Sequence, residues 1–259
     1  MVRGVFITGA SSGIGEALAV HYGRDPAVRL GLLGRRRDAL EALNARLGGQ
    51  HAIYVADVTD AEALRQAADD FMARFGVPEV VIASAGVSAG TLTEHPEDLA
   101  AFRRIMDINV YGMAATFSPF ILAMQAAPGE RRLVGFASVA GIRGLPGAEA
   151  YSASKAAAIA YLESLRLEMR DAGIKVVTIA PGYIATPMTA VNPYTMPFLL
   201  PAETAAKRFA AAIERGVSYT VIPWQMGVVA RFLRLLPNAW YDRIFARAPH
   251  KPRGLALDR

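Results

Sequence analysis

The sequence predicts an α/β fold: one domain built on a doubly wound, seven-stranded parallel sheet, with a C-terminal helical extension. Three observations predict it. The chain has 259 residues, 53% of them apolar and 20% charged, enough for one large domain with a sizeable core. Short β-rich runs alternate with helical patterns, which implies parallel strands joined by right-handed crossovers. The runs are almost continuously Val, Ile and Leu, as expected of strands covered on both faces.

The seven strands read as "GVFITG" (4–9), "RLGLLG" (29–34), "AIYVAD" (52–57), "EVVIAS" (79–84), "RLVGFAS" (132–138), "KVVTIA" (175–180) and "SYTVIP" (218–223). Helices are expected near 13–23, 36–47, 60–75, 97–126, 151–171 and 202–215. Ligands of such sheets bind beyond the carboxyl ends of the strands. After the first strand comes "TGASSGIG" (8–15). Its glycines at 9, 13 and 15 let the backbone approach a pyrophosphate, and the next helix offers free N–H groups. A glycine-rich turn also closes strand–helix joints for purely structural reasons, but this position favours a dinucleotide. After the second strand stand Arg35, Arg36 and Arg37, where an acid would hold a ribose 2′-hydroxyl. Three cations at a helix N-terminus oppose its dipole. They read either as a solvated turn or, by preference, as a 2′-phosphate site, so NADP(H) is expected over NAD(H). After the third strand, Asp57 can accept from an adenine amino group or cap the next helix.

Composition bounds the function. The chain has no cysteine, which excludes a disulfide framework and thiolate metal sites and fits a cytoplasmic protein. The four histidines show no ligand spacing, so no metal is expected. The glycine motif begins too early to leave room for a signal peptide, and no long uninterrupted apolar run predicts a membrane span. The net charge of +5 belongs wholly to residues 225–259. The body of the protein is therefore neutral, and nucleic acid is not an expected partner.

Ser138 ends the fifth strand, and Tyr151 and Lys155 follow one turn apart on one helical face. A cation beside a phenol favours the phenolate, whose ordinary pKa is near 10. A serine hydroxyl can hold a carbonyl oxygen while the tyrosine exchanges the proton. The plain alternative is a helix with a packed tyrosine and an exposed lysine.

"TGASSGIG", "DVTD" (57–60), "SAG" (84–86), Asn109 in "DINVYG", Ser138, "YSASK" (151–155) and "PGYIATPM" (181–188) together resemble the short-chain dehydrogenase/reductase family in order and spacing, over about residues 3–222. The resemblance implies a Rossmann-like fold and a catalytic set of Asn109, Ser138, Tyr151 and Lys155. Asn109 would hold a water that relays protons toward Lys155. Ser138 would polarise the substrate carbonyl, Tyr151 would exchange the proton, and Lys155 would lower the Tyr151 pKa and bind the nicotinamide ribose. The cofactor would lie along Gly9, Ser11, Ser12, Gly13, Ile14 and Gly15. Arg35, Arg36 and Asp57 would hold its adenosine side, and Val58, Ser84, Ala85 and Gly86 would also lie along the cofactor. Pro181 and Gly182 would turn the chain past the nicotinamide, with Ile184 and Thr186 on its carboxamide side.

Three departures from the family pattern stand out. The usual asparagine before "AG" is Ser84, a weaker brace. Ser12 replaces a basic residue found in some NADP-dependent members. Residues 224–254 extend past the point where acyl-carrier-protein reductases usually end, and resemble extended members acting on lipophilic ketones. Residues 187–200 read as an uncharged flap carrying Met188, Tyr194, Met196, Phe198 and Leu199, or as a loop that merely packs on the body. The tail places Val228, Val229, Phe232, Leu233, Leu235, Leu236, Trp240, Tyr241, Ile244 and Phe245 between Arg231, Arg234, Arg243 and Arg247. It is expected to cover the pocket or a partner subunit, with peripheral membrane contact as second reading.

The expectation is a catalytic domain over 1–224 with a helical tail over 225–259, acting on an apolar ketone, aldehyde or secondary alcohol as a homodimer. The rivals are a 3-oxoacyl thioester reductase and a catalytically silent dinucleotide-binding scaffold.

Overall fold

The computed structural model describes residues 3–246, 248–255 and 257; Arg247 lies outside the described residues. In chain order the elements are β1 (Arg3–Thr8), α1 (Gly13–Tyr22), β2 (Val28–Gly34), α2 (Arg37–Arg46), β3 (Ala52–Val55), α3 (Ala61–Phe75) and β4 (Val80–Ala83). Then follow α4 (Asp98–Met106), a π-turn (Asp107–Tyr111), α5 (Gly112–Ala126), β5 (Arg131–Phe136), a 3-10 turn (Val139–Gly141), α6 (Glu149–Glu168) and β6 (Ile174–Pro181). The chain ends with β7 (Ile184–Ala185), α7 (Pro187–Ala190), β8 (Leu200–Pro201), α8 (Ala202–Arg215), β9 (Tyr219–Ile222), α9 (Trp224–Leu235) and α10 (Asn238–Phe245).

Seven strands form one sheet in the order β3-β2-β1-β4-β5-β6-β9, and every pairing is parallel. Thr8 lies beside Leu33 on one side and Ala83 on the other. The strand order reverses between β1 and β4, so their carboxyl ends open a crevice. Side chains alternate across the sheet: Val5 and Ile7 join Leu18, Leu30, Leu32 and Phe209 on one face. Phe6 joins Leu33, Phe71, Phe117, Phe120 and Leu162 on the other.

Residues Asp98–Ala126 form one continuous helix, 29 residues long and apolar enough by composition to cross a membrane. No uninterrupted apolar run signals it, because charged and polar residues punctuate its first half. Half of its most apolar window is buried within the fold, the placement of a core helix. Two short pieces were not expected: the flap holds the single-turn α7, and β7 and β8 pair beside it.

The tail departs further from expectation. Its buried face is Met226, Gly227, Ala230 and Tyr241, whereas Val228, Val229, Phe232, Leu235, Trp240 and Ile244 stay exposed. The close fit of Gly227 against Val221 on β9, where a Cβ would sit 3.1 Å away, turns that narrow small-residue face inward. After α10 the chain runs back across the molecule. Gly90 N–H donates to the Pro252 carbonyl at 2.9 Å, and a Cβ on Gly90 would come 2.1 Å from the Lys251 carbonyl. Arg253 then pairs with Asp98 at 2.7 Å and Glu97 at 3.0 Å.

Candidate active site

The glycine loop at the crevice is built for close approach. Gly9 takes φ +70°, and a Cβ there would lie 2.7 Å from the Ala85 nitrogen. A Cβ on Gly15 would lie 2.3 Å from the Gly9 carbonyl and 2.6 Å from Ser84 Oγ. Ser84 Oγ–H donates to the Thr8 carbonyl at 2.6 Å, so the residue expected to be a weaker brace ties β4 to β1 directly. Ser12, the N-cap of α1, makes no side-chain capping bond. The first-turn N–H groups at Gly13, Ile14 and Gly15 therefore face the crevice without a cap, as an anion site requires.

The arginines lie beside this loop. Arg36 donates to the Ser11 carbonyl at 2.8 Å. Arg35 approaches Asp57 Oδ2 at 3.8 Å and donates to the Leu257 carbonyl at 3.0 Å, so the returning tail reaches the arginines beside the glycine loop. Asp57 does not cap the next helix; Asp60 does, accepting from Ala63 N–H at 3.0 Å. Asp57 instead accepts from Thr59 N–H at 2.9 Å and Thr59 Oγ–H at 2.8 Å and pairs with Arg104. Burial raises its pKa, but these bonds outweigh burial and hold the carboxyl below its usual range. Val58, next in the chain, is buried.

On the other side, Pro181 ends β6 and Gly182 N–H donates to the Ile222 carbonyl at 2.9 Å. Ile184 is buried in the core, and its carbonyl accepts from Thr189 Oγ–H at 2.6 Å. Its side chain packs in the core, and its backbone stays on the loop after Gly182. Thr186 Cγ2 lies 3.5 Å from where a Cβ on Gly13 would be, so this loop covers the glycine turn. The glycine clearances, the uncapped first turn and the adjacent arginines fit a dinucleotide.

The remaining predicted residues converge next to it. Lys155 is buried and donates to the Phe136 carbonyl at 2.8 Å, with Nζ 5.7 Å from the Tyr151 ring centre. Burial pulls its pKa down to about 8. Burial also pushes the Tyr151 phenol up, and the Ser138 hydroxyl counteracts only part of that. Lys155 was expected to lower the Tyr151 pKa; here desolvation dominates at both groups. Ser138 Oγ accepts from Ala140 N–H at 3.2 Å, and its own hydrogen serves the Tyr151 oxygen.

Asn109 sits in the π-turn, a local widening common at functional sites. Its Oδ1 accepts from Val87 N–H at 2.8 Å, and Nδ2 donates to the Val87 carbonyl and Ser154 Oγ, both at 3.0 Å. The amide hydrogens are spent on bracing, so a relay water can use only the second lone pair of Oδ1. A Cβ on Gly86 would lie 3.2 Å from that atom and 3.5 Å from Lys155 Nζ; glycine leaves the space between them clear.

Ser138 and Tyr151 line a cavity of about 260 Å³ that Met188 and Tyr194 of the flap, and Phe245 and Lys251 of the tail, also line. Met196, Phe198 and Leu199, expected in this roof, do not line it; Phe198 and Leu199 are 49% and 43% exposed. Lys251 was not foreseen. Its position depends on the tail's return path past Gly90, which no local pattern encodes.

A glycine cradle and a Ser–Tyr–Lys group facing one cleft define an oxidoreductase that binds a nicotinamide dinucleotide. Comparison with known proteins gives the family. The model of the short chain dehydrogenase family matches residues 3–195. An uncharacterized oxidoreductase of Myxococcus xanthus is 39% identical over 243 residues, 93% of this chain and 95% of that protein. The 11-beta-hydroxysteroid dehydrogenase-like 2 protein of Arabidopsis thaliana is 33% identical, covering 85% of this chain and 73% of that one. A short-chain type dehydrogenase/reductase structure from Mycobacterium marinum shares the fold, with a TM-score of 0.75 at 24% identity over 85% of this chain and 93% of that one. The chain belongs to the short-chain dehydrogenase/reductase family, whose members act on CH–OH and C=O groups.

Proposed function

We propose that this protein is an NADP(H)-dependent carbonyl reductase or alcohol dehydrogenase whose substrate is a ketone, aldehyde or secondary alcohol with a largely apolar body. One observation carries the reading: Ser138 and Tyr151, with Lys155 beside the tyrosine ring, form one wall of a cavity otherwise lined mostly by apolar side chains. The cofactor would be held by the glycine loop, Thr186 and Lys155, and supplies the hydride when bound. Ser138, its oxygen already accepting from Ala140, turns its hydrogen to the substrate oxygen. Tyr151, half-buried with its phenol pushed up by desolvation, gives that oxygen its proton in reduction and takes it back in oxidation. Asn109 positions the Val87 loop and the turn at Ser154.

Arg36 beside Ser11 and Arg35 beside Asp57 support NADP(H), since a 2′-phosphate would compensate cations at the start of α2. Tail residues in the cavity wall favour a compact lipophilic carbonyl over a 3-oxoacyl thioester, whose carrier arm needs a mouth clear of them. The name of the Arabidopsis thaliana relative, a hydroxysteroid dehydrogenase-like protein, supports a bulky alicyclic substrate. The test is NADPH oxidation with a panel of aliphatic and cyclic ketones. Tyr151→Phe keeps the ring and loses the proton, so turnover should fall on the order of 10²–10⁴-fold while NADPH still binds. Full activity in Tyr151→Phe refutes the proposal.

A further inference from the structure

Lys251 is the one charged side chain among the described residues that line the cavity holding Ser138 and Tyr151. It is 9% exposed. Its ammonium has three hydrogens, and one is used, donated to the Met188 carbonyl at 3.0 Å. The acids that meet the adjoining segment do not serve it: Asp98 and Glu97 are both taken by Arg253. Among the described residues no carboxylate pairs with Lys251, and burial alone brings its pKa to about 8. A buried cation with hydrogens to spare is costly unless something pairs with it. The flap does not need a lysine for that purpose, since a neutral donor would hold the Met188 carbonyl at lower desolvation cost.

We infer that Lys251 is a specificity-determining residue that pairs with an anionic group, a carboxylate, carried by the substrate at the end away from the reacting carbon. The substrate class becomes an oxo acid, or the matching hydroxy acid, with an apolar body between its two polar ends. This rests on the proposed function and deepens it: Ser138 and Tyr151 handle the carbonyl, while the tail supplies the counter-charge. The tail thereby selects substrate as well as closing the cavity. The apolar walls from Tyr194 and Phe245 would contact the body between them.

The experiment compares straight-chain oxo acids of increasing length, each with its own methyl ester, using NADPH and the full-length protein. Wild type should favour at least one acid over its ester by about tenfold or more in kcat/KM, the size of one charge-assisted hydrogen bond. Lys251→Met should abolish that ratio, mainly through KM, and Lys251→Arg should retain most of it. If Lys251 is only a strap on the flap, Lys251→Met lowers acid and ester together and leaves the ratio unchanged, which overturns the inference. A wild type that prefers every ester overturns it as well, without any variant. If neither acids, esters nor neutral ketones are turned over, the proposed function fails by itself. Calorimetric binding of the same acids and esters to the NADPH-loaded protein then decides the matter: an acid preference lost in Lys251→Met sustains the inference, and no preference refutes it.

Discussion

Arg143 joins the segment that follows Ser138 to the tail, and removing it should release the tail. The residue follows Ser138 by five positions and reaches across to the end of α9. Its Nη1 donates to the Leu233 carbonyl at 2.6 Å and the Leu236 carbonyl at 2.7 Å. Its Nη2 donates to Asn238 Oδ1 at 3.0 Å, and its guanidinium carbon lies 3.9 Å from the Tyr241 ring centre. These carbonyls end a helix and have no helical partner of their own, so Arg143 caps α9 and meets the negative end of its dipole. At a half-buried site the two carbonyl bonds contribute about 1 kcal/mol each, and the stacked cation about 0.5–1 kcal/mol more. Arg143→Ala should therefore lower the local stability of α9–α10 by about 3 kcal/mol, which corresponds to roughly a hundredfold loss of hydrogen-exchange protection. The assay is exchange measured on peptides spanning Trp224–Phe245, alongside KM for apolar ketones. KM should rise, because Phe245 of α10 lines the cavity. Arg143→Lys should restore little, since an ammonium cannot fork to two carbonyls and stack at once. Exchange within about threefold of wild type would show that these bonds contribute far less than their typical magnitude.

Four further outcomes are expected. Lys155 titrates at about 8 in the fold against 10.5 ordinarily, so the unfolded chain binds more protons between those values and stability should rise with pH across that window; melting curves of Lys155→Met should lack part of that rise. Arg35→Asp should weaken NADPH binding by about 1.5–3 kcal/mol for each charge-assisted hydrogen bond it removes, measured by fluorescence titration, and equal affinity of wild type for NADH and NADPH would refute the 2′-phosphate reading. Tyr111 and Leu122 near α5, with Ala153, Ala156, Ala160 and Leu167 on α6, lie exposed, and small residues let helices approach closely; light scattering at micromolar concentration should show a homodimer, and a monomer refutes it. Trp224, Phe232, Leu235, Trp240 and Ile244 are exposed beside Arg231, Arg234 and Arg243, so anionic vesicles should bind the protein, more weakly as salt rises, at about 1 kcal/mol per arginine; no binding at low salt refutes membrane contact.

The sheet was legible because each strand's pattern is local: Val5, Phe6 and Ile7 identify a two-faced strand whatever surrounds them. The placement of Tyr151 and Lys155 on one helix face was legible because they lie one turn apart, and the glycine loop because Gly9 and Gly15 announce close approach. What escaped depends on the packing of distant segments. Met226, Gly227 and Ala230 form the inward face of α9 because Val221 needs a small neighbour, whereas the larger residues at Val228 and Phe232 look more like a core. Asp57 is ambiguous by pattern, since Asp60 stands three residues on, and its distant partners Arg104 and Arg35 come from the fold. The π-turn at Asn109 has no sequence signal, because its extra residue is stabilised by bonds to Val87 and Ser154.

Buried charge marks the functional cleft more sharply than any motif. Among the described residues four charged side chains are buried: Asp98, Arg132, Lys155 and Lys251. Asp98 is paired with Arg253 at 2.7 Å. Arg132 is paired with Glu130 at 2.8 Å and donates to the Glu214 carbonyl at 3.0 Å. Both follow the rule that burial of a charge is tolerated when it is compensated. Lys155 and Lys251 break the rule, each with one carbonyl as its partner and each pulled to about 8 by burial. Packing alone would select against such groups, because an apolar residue of similar shape removes the desolvation cost. Yet one stands beside the Tyr151 ring and the other in the wall of the cavity that Tyr151 lines. On the proposed function, the complement of each is brought by what binds: the cofactor beside Lys155, next to the Tyr151 ring, and the substrate's carboxylate beside Lys251 in the cavity wall.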